Sequence, residues 1–129
     1  MVEQTTRIIK KQELKDNPDT LYLFGDNYQR YGKGGQAKEM RGEPNAIGIV
    51  TKFRPNMDYN AFMQNKFFDV NCKAISLDIN KVIEAWQTGK YNKIVIPPLG
   101  TGLADLPNKA PLTYQFLNSQ IQRIIDICN

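Results

Sequence analysis

With 129 residues, 41% hydrophobic and 23% charged, the chain has the make-up of one soluble globular domain, residues 1–129, large enough for a real core but small for an elaborate sheet. It holds no histidine, and its two cysteines, Cys72 and Cys128, lie far apart. That excludes a conventional zinc site, a Ser-His-Asp triad and a catalytic histidine pair, so no metal is expected and any catalysis falls to carboxylates, lysine, backbone donors or bound water. The net charge of +4 favours anionic partners such as a diphosphate or a nucleic-acid backbone, or is no more than a solvated basic surface. No apolar run reaches membrane length, and the first residues lack the basic start and apolar core of a signal peptide, so a cytoplasmic location is the expectation.

In chain order, Thr6–Lys10 is read as an edge strand, Gln12–Lys15 as a helical turn and Asp16-Asn-Pro-Asp19 as a polar stop. Leu21–Phe24 is an apolar run short enough for one buried strand. It ends in Gly25-Asp-Asn27, crosses a polar bend and enters Gly32-Lys-Gly-Gly35, after which Ala37–Arg41 continues as a short helix with Gly42 as terminator. Missing side chains at Gly32, Gly34 and Gly35 let backbone N–H groups approach an anion, and the first turn of a following helix adds donors. Asp26 and Asn27 would stand at the rim of the same crevice. The alternative is a set of glycines that only make a turn.

Residues 27–54 hold Arg30, Lys33, Lys38, Arg41, Lys52 and Arg54 against Glu39 and Glu43, a surplus equal to the net charge of the whole chain. Ala46–Thr51 reads as a second interior strand and Lys52–Asp58 as a loop. Phe53, between two cations, either stacks on a base while Lys52 or Arg54 meets a phosphate, or simply packs. Residues 59–70, with Phe62, Met63, Phe67, Phe68 and Val70, suit a helix or an irregular lid. Ile75, Ile79, Val82, Ile83 and Trp86 recur at helical spacing over Ala74–Trp86, with Asp78, Lys81 and Glu84 on other faces, Trp86 as a core anchor and Gly89 as the stop.

Lys93-Ile-Val-Ile, closed by Pro97 and Pro98, is the third interior strand, and it leads into the glycine-containing loop Leu99–Pro107. The last helix starts at Pro111 with the stripe Phe116, Leu117, Ile121, Ile124 and Ile125. Strands alternating with helices give an α/β fold, a three-layer domain with a small, largely parallel or mixed sheet. Both glycine loops then leave the carboxyl ends of strands on one rim. Phe62, Phe67 and Phe68 either cover an intramolecular edge or meet another subunit, so the oligomeric state stays open.

These two loops carry a resemblance. Asn27 followed by Gly32-Lys-Gly-Gly35-Gln-Ala37 is similar to the Asn-Ala-Ala-Asn ending and glycine run of the macro-domain superfamily, and Pro97-Pro-Leu-Gly-Thr-Gly102-Leu-Ala-Asp-Leu-Pro107 resembles its Pro-x-Ile-Ser-Thr-Gly-Ile-Tyr-Gly-Phe-Pro. The resemblance implies a macro-like fold that binds ADP-ribose or another NAD-derived nucleotide, free or attached to an ADP-ribosylated macromolecule, with no cofactor. By it Asn27 would hold the ribose farther from adenine, Gly34 and Gly35 would lie close to the ligand, and Gly100, Thr101, Gly102 and Leu103 would wrap the diphosphate. The superfamily's Gly-Asp-Ile-Thr, whose Asp reads adenine, is absent, so base recognition does not carry over. One hydrolytic branch has Gly-x-Gly-Leu-Asp in the second loop, where this chain has Ala104 at the matching position and Asp105 one residue later.

Three functions follow from these residues. A nucleotide binder without turnover needs only the loops. An ADP-ribosyl hydrolase or ADP-ribose phosphatase would use Asp26 or Asp105 to activate water, with Lys33 either attacking the glycosidic carbon or neutralising phosphate. A basic nucleic-acid-binding protein would rely on Lys33, Arg41, Lys52 and Arg54.

Overall fold

The computed structural model describes residues 1–129. Four strands, β1 (Val2–Gln4), β2 (Thr20–Asn27), β3 (Ala46–Lys52) and β4 (Lys93–Ile96), form one sheet in the order β1-β4-β2-β3, every neighbouring pair parallel. Five helices accompany them: α1 (Lys11–Asp16), α2 (Ala37–Met40), α3 (Phe68–Gln87), α4 (Leu106–Lys109) and α5 (Pro111–Cys128). No helix is long and apolar enough to cross a membrane.

Strand β2 explains the layering. Its side chains alternate between faces, and both faces are apolar. Leu21 and Leu23 join a large cluster with Ile75, Ile79 and Val82 of α3 and Leu117, Ile121 and Ile124 of α5. Tyr22 and Phe24 join a smaller cluster with Leu14 of α1 and Ala37 and Met40 of α2. The outcome is a small parallel sheet between two helical layers. A fully buried aliphatic side chain contributes about 1.5–3 kcal/mol, so the α3/α5 face supplies most of the stabilising burial. The all-parallel arrangement also dictates the site, because β2, β3 and β4 must all end on the same rim.

Several local elements differ from what the sequence pattern predicts. The edge strand is Val2–Gln4, in register with Ile94–Ile96, and not Thr6–Lys10. Met1 O accepts from Ile94 N at 2.9 Å and Thr5 N donates to Ile96 O at 3.0 Å, so the very first residues take the ladder positions. Ile9 buries against the smaller cluster while Ile8 is exposed. Residues 59–70 divide into two 3-10 turns, Tyr59–Ala61 and Asn65–Phe67, and the start of α3, with an isolated bridge between Lys52 and Phe62. Gly89 ends α3 at φ +77°, and Trp86 packs half-buried against the core.

Asp78 does not lie on another face of α3 but is fully buried on the apolar one. Ile75, Asp78, Ile79 and Val82 stand at i, i+3, i+4 and i+7, one stripe of the helix. Its carboxylate accepts the Val50 N–H at 2.8 Å, capping a donor on the edge strand β3.

Candidate functional site

The two glycine loops meet. A Cβ built on Gly34 would lie 3.0 Å from Leu103 Cδ1, so the loop after β2 and the loop after β4 touch across one cleft. Asp26, Asn27, Gly32, Gly34 and Gly35 line it from the first loop, and Gly100, Gly102 and Leu103 from the second. Arg41, Lys52, Tyr31 and Pro55 complete the wall. The cleft is open on one side and has a volume of about 140 Å³.

Backbone chemistry gives the cleft its character. The N–H groups of residues 32–35 and 99–104 donate to no acceptor in the protein, whereas the turns that follow are closed by Lys38 N to Gly35 O at 3.3 Å and Asp105 N to Gly102 O at 3.1 Å. Backbone donors normally find partners. Of these residues, Gly32, Gly34 and Gly35 line the cleft from one side and Gly100, Gly102, Leu103 and Ala104 from the other. Helix α2 is a single turn, so the donors come from the loop itself and not from a long helix end.

Asp26 sits at the floor with a nearly buried carboxylate. Arg41 grips it through Nη2 to Oδ1 at 2.5 Å and Nη1 to Oδ2 at 3.3 Å, and donates from Nε to Gly32 O at 2.8 Å. Arg30 adds a contact to Asp26 Oδ2 at 3.4 Å and one to Asp78 Oδ1 at 2.8 Å. The Asn27 N–H donates to Asp26 Oδ1 at 2.8 Å. A planar guanidinium bonded this way fixes both the carboxylate and the glycine loop.

Asn27 is buried and closes its own loop: Oδ1 accepts from Gln29 N at 2.9 Å and Nδ2 donates to Tyr31 O at 2.8 Å. A shift in register after Asp26 sets Asn27 opposite Lys52 and leaves Thr51 unpaired, with Thr51 Oγ1 donating to Asp26 O at 3.3 Å. Such a bulge re-aims side chains at a strand end. It turns Lys52 inward, where Nζ donates to Asn56 O at 2.7 Å and lies 4.6 Å from the centre of the Phe62 ring. Burial pushes the Lys52 ammonium below the usual lysine range. No carboxylate pairs with it.

The remaining named residues lie elsewhere. Lys33 is exposed and does not line the cleft. Thr101 lines a second hollow with Gln4, Tyr114 and Asn118. Asp105, at φ +48°, accepts from Asn108 Nδ2 at 2.8 Å and is not part of the cleft wall. No three Cys, Asp or Glu side chains gather as a metal-binding group.

A model of a family of unknown function (DUF7831) matches residues 4–120. The chain belongs to that family. The match spans both loops and every strand that frames the cleft. Comparison with curated proteins gave no match, and comparison with solved structures gave none.

Proposed function

We propose that this chain binds ADP-ribose or a closely related nucleotide diphosphate, with the diphosphate and the distal ribose in the cleft. The observation that carries the reading is that glycines of both loops, whose backbone amides have no acceptor in the protein, line one cleft together with Arg41 and Lys52. Phosphate oxygens accept several hydrogen bonds each, and a concave set of N–H groups beside fixed cations suits them. The macro-domain resemblance supports the same ligand from the order and spacing of the two loops.

Volume narrows the pose. At about 140 Å³ the cleft falls below the ~300–1,000 Å³ of sites that swallow a drug-sized ligand. The phosphates and one sugar fill it, and the base lies outside, where the exposed Tyr31 ring offers a stacking face. Loss of the adenine-reading motif is consistent with such a loosely held base.

Binding without turnover is the favoured form. The Asp26 carboxylate is already occupied by Arg41, Arg30 and the Asn27 N–H, and Asp105 is engaged by Asn108 outside the cleft. Neither stands free to activate water.

Calorimetric titration with ADP-ribose, ADP, ribose 5-phosphate and adenosine tests the proposal. ADP-ribose should bind one to one, ADP more weakly, and adenosine least. Equal affinity for adenosine, or no heat at millimolar ADP-ribose, would sink it. Chromatography of the same mixtures, and of ADP-ribose carrying a terminal phosphate, should recover them unchanged. Release of phosphate would move the reading to an ADP-ribose phosphatase.

A further inference from the structure

A separate groove of about 350 Å³ runs between the 59–66 segment and α4, lined chiefly by Tyr59, Phe62, Gln64, Lys66, Asn108 and Lys109. Two connections tie it to the cleft. Lys52 lines the cleft while its ammonium lies over Phe62 of the groove, and the stretch after β4 gives Leu103 and Ala104 to the cleft and Asn108 and Lys109 to the groove.

Its chemistry is one-sided. No carboxylate lines the groove, and the one carboxylate bonded to a lining residue, Asp105, is held by Asn108. Lys52, Arg54, Lys66 and Lys109 take part in no ion pair, whereas Glu39 and Glu43 are drawn off to Lys10 and Lys15. Aromatic rings interleave with these cations. Lys109 Nζ lies 4.9 Å from the Phe62 ring centre and Lys66 Nζ 5.1 Å from that of Phe67. Phe67 packs edge-on to Phe53 at 6.0 Å, and Phe53 stacks on Tyr28 at 5.5 Å. Tyr59 is 71% exposed and Phe67 42%.

We infer that this groove binds a single-stranded nucleic acid. Bases stack on the exposed Tyr59 ring, with Phe67 beside Lys66 at the edge of the groove, and phosphates run along Lys66 and Lys109. Rings flanked by unpaired cations are what a strand with splayed bases requires. A duplex keeps its bases stacked on one another and leaves those rings unused, and an acidic peptide would use the lysines alone. None of Tyr59, Lys66 and Lys109 lines the cleft, so the inference stands apart from the nucleotide reading.

Fluorescence anisotropy with labelled oligo-dT and oligo-U of about 12 nucleotides, within the site sizes of comparable grooves, tests it on the full chain across a salt series. Tyr59→Ala should weaken binding about tenfold and Tyr59→Phe should retain it, as stacking predicts. Lys66→Ala with Lys109→Ala should lower the slope of log affinity against log salt by about 1.4, or ~0.7 per lost phosphate contact. All three side chains are exposed, so the variants should keep the parent's urea midpoint. Saturable binding with these losses supports the groove. Absence of saturation at low salt, variants that bind like the parent, displacement by inorganic polyphosphate at equal charge, or stoichiometric displacement by ADP-ribose each overturns it. The last of these would put the strand in the cleft.

Discussion

Asp26 and Gly48 lie against each other on β2 and β3. A Cβ on Gly48 would stand 2.5 Å from Asp26 Oδ2 and 2.8 Å from Asp26 Cβ. The second distance matters more, because a Cβ cannot swing aside as a carboxylate tip can. Gly48→Ala should therefore strain the sheet by about 1–3 kcal/mol, as overpacking does, and tilt the Asp26 carboxylate away from Arg41. The urea midpoint should fall and nucleotide affinity should fall with it. An unchanged midpoint would mean that the strands separate more easily than this packing implies.

The Asp26–Arg41 pair invites a double-mutant cycle. Removing either partner alone takes the main counter-charge from the other, and Arg41→Gln or Asp26→Asn should each lose about 2–3 kcal/mol, below most of the range for a fully buried pair because Arg30 and the Asn27 N–H still hold Asp26 and Arg41 keeps some exposure. The double variant should lose less than the sum by at least ~1 kcal/mol. Strict additivity would show that the two act separately, with the Gly32 loop held by other contacts.

How much of this was legible beforehand depends on where the information resides. Leu21–Phe24, Ala46–Thr51 and Lys93–Ile96 were readable because strands buried on both faces must be apolar throughout, a local property. The three-residue β1 was not, since its pairing is set by the register of Ile94–Ile96 and not by its own composition. The glycine loops announced themselves, and their order along parallel strands predicted a common rim. The partners within the site did not. Arg41 reaches Asp26 across fifteen positions, and Lys52 turns inward because a bulge skips Thr51. The spacing of Asp78 from Ile75, Ile79 and Val82 places it in the buried stripe, but its charge argues for another face of the helix.

Gly100 and Gly102 separate folding from binding. Gly100 has φ +80°, and a Cβ there would meet Leu106 Cδ1 at 2.6 Å, so Gly100→Ala should destabilise by about 1–3 kcal/mol through strain and overlap. Gly102 has nothing within 4 Å of its virtual Cβ, so Gly102→Ala should leave stability within ~0.5 kcal/mol. Its methyl group nonetheless enters the cleft wall, and ADP-ribose affinity should drop by about tenfold or more, the worth of ~1.4 kcal/mol. Titration calorimetry beside urea melts reads both. Normal affinity in Gly102→Ala would argue that the second loop does not touch the ligand.

Acid and alkali should act on groups that do not line the cleft. Lys93 donates to Glu3 at 2.7 Å and the Arg7 guanidinium grips Glu13, and these hydrogen bonds hold both carboxyls below the usual glutamate range. A carboxyl depressed on folding contributes stability that is present above its unfolded value, about 4.3, and that is lost as pH falls through the folded value. Urea midpoints should thus stay level from neutrality to about pH 5 and decline below it, with Glu13→Gln flattening the decline. At the other end, burial raises the Tyr22 phenol above its ordinary range. Its neutral form is favoured by folding, so that share of stability is complete below about pH 10 and drains away as pH rises further. Tyr22→Phe cannot ionise and should remove this alkaline limb. A limb of equal size in Tyr22→Phe would assign the alkaline loss to other groups.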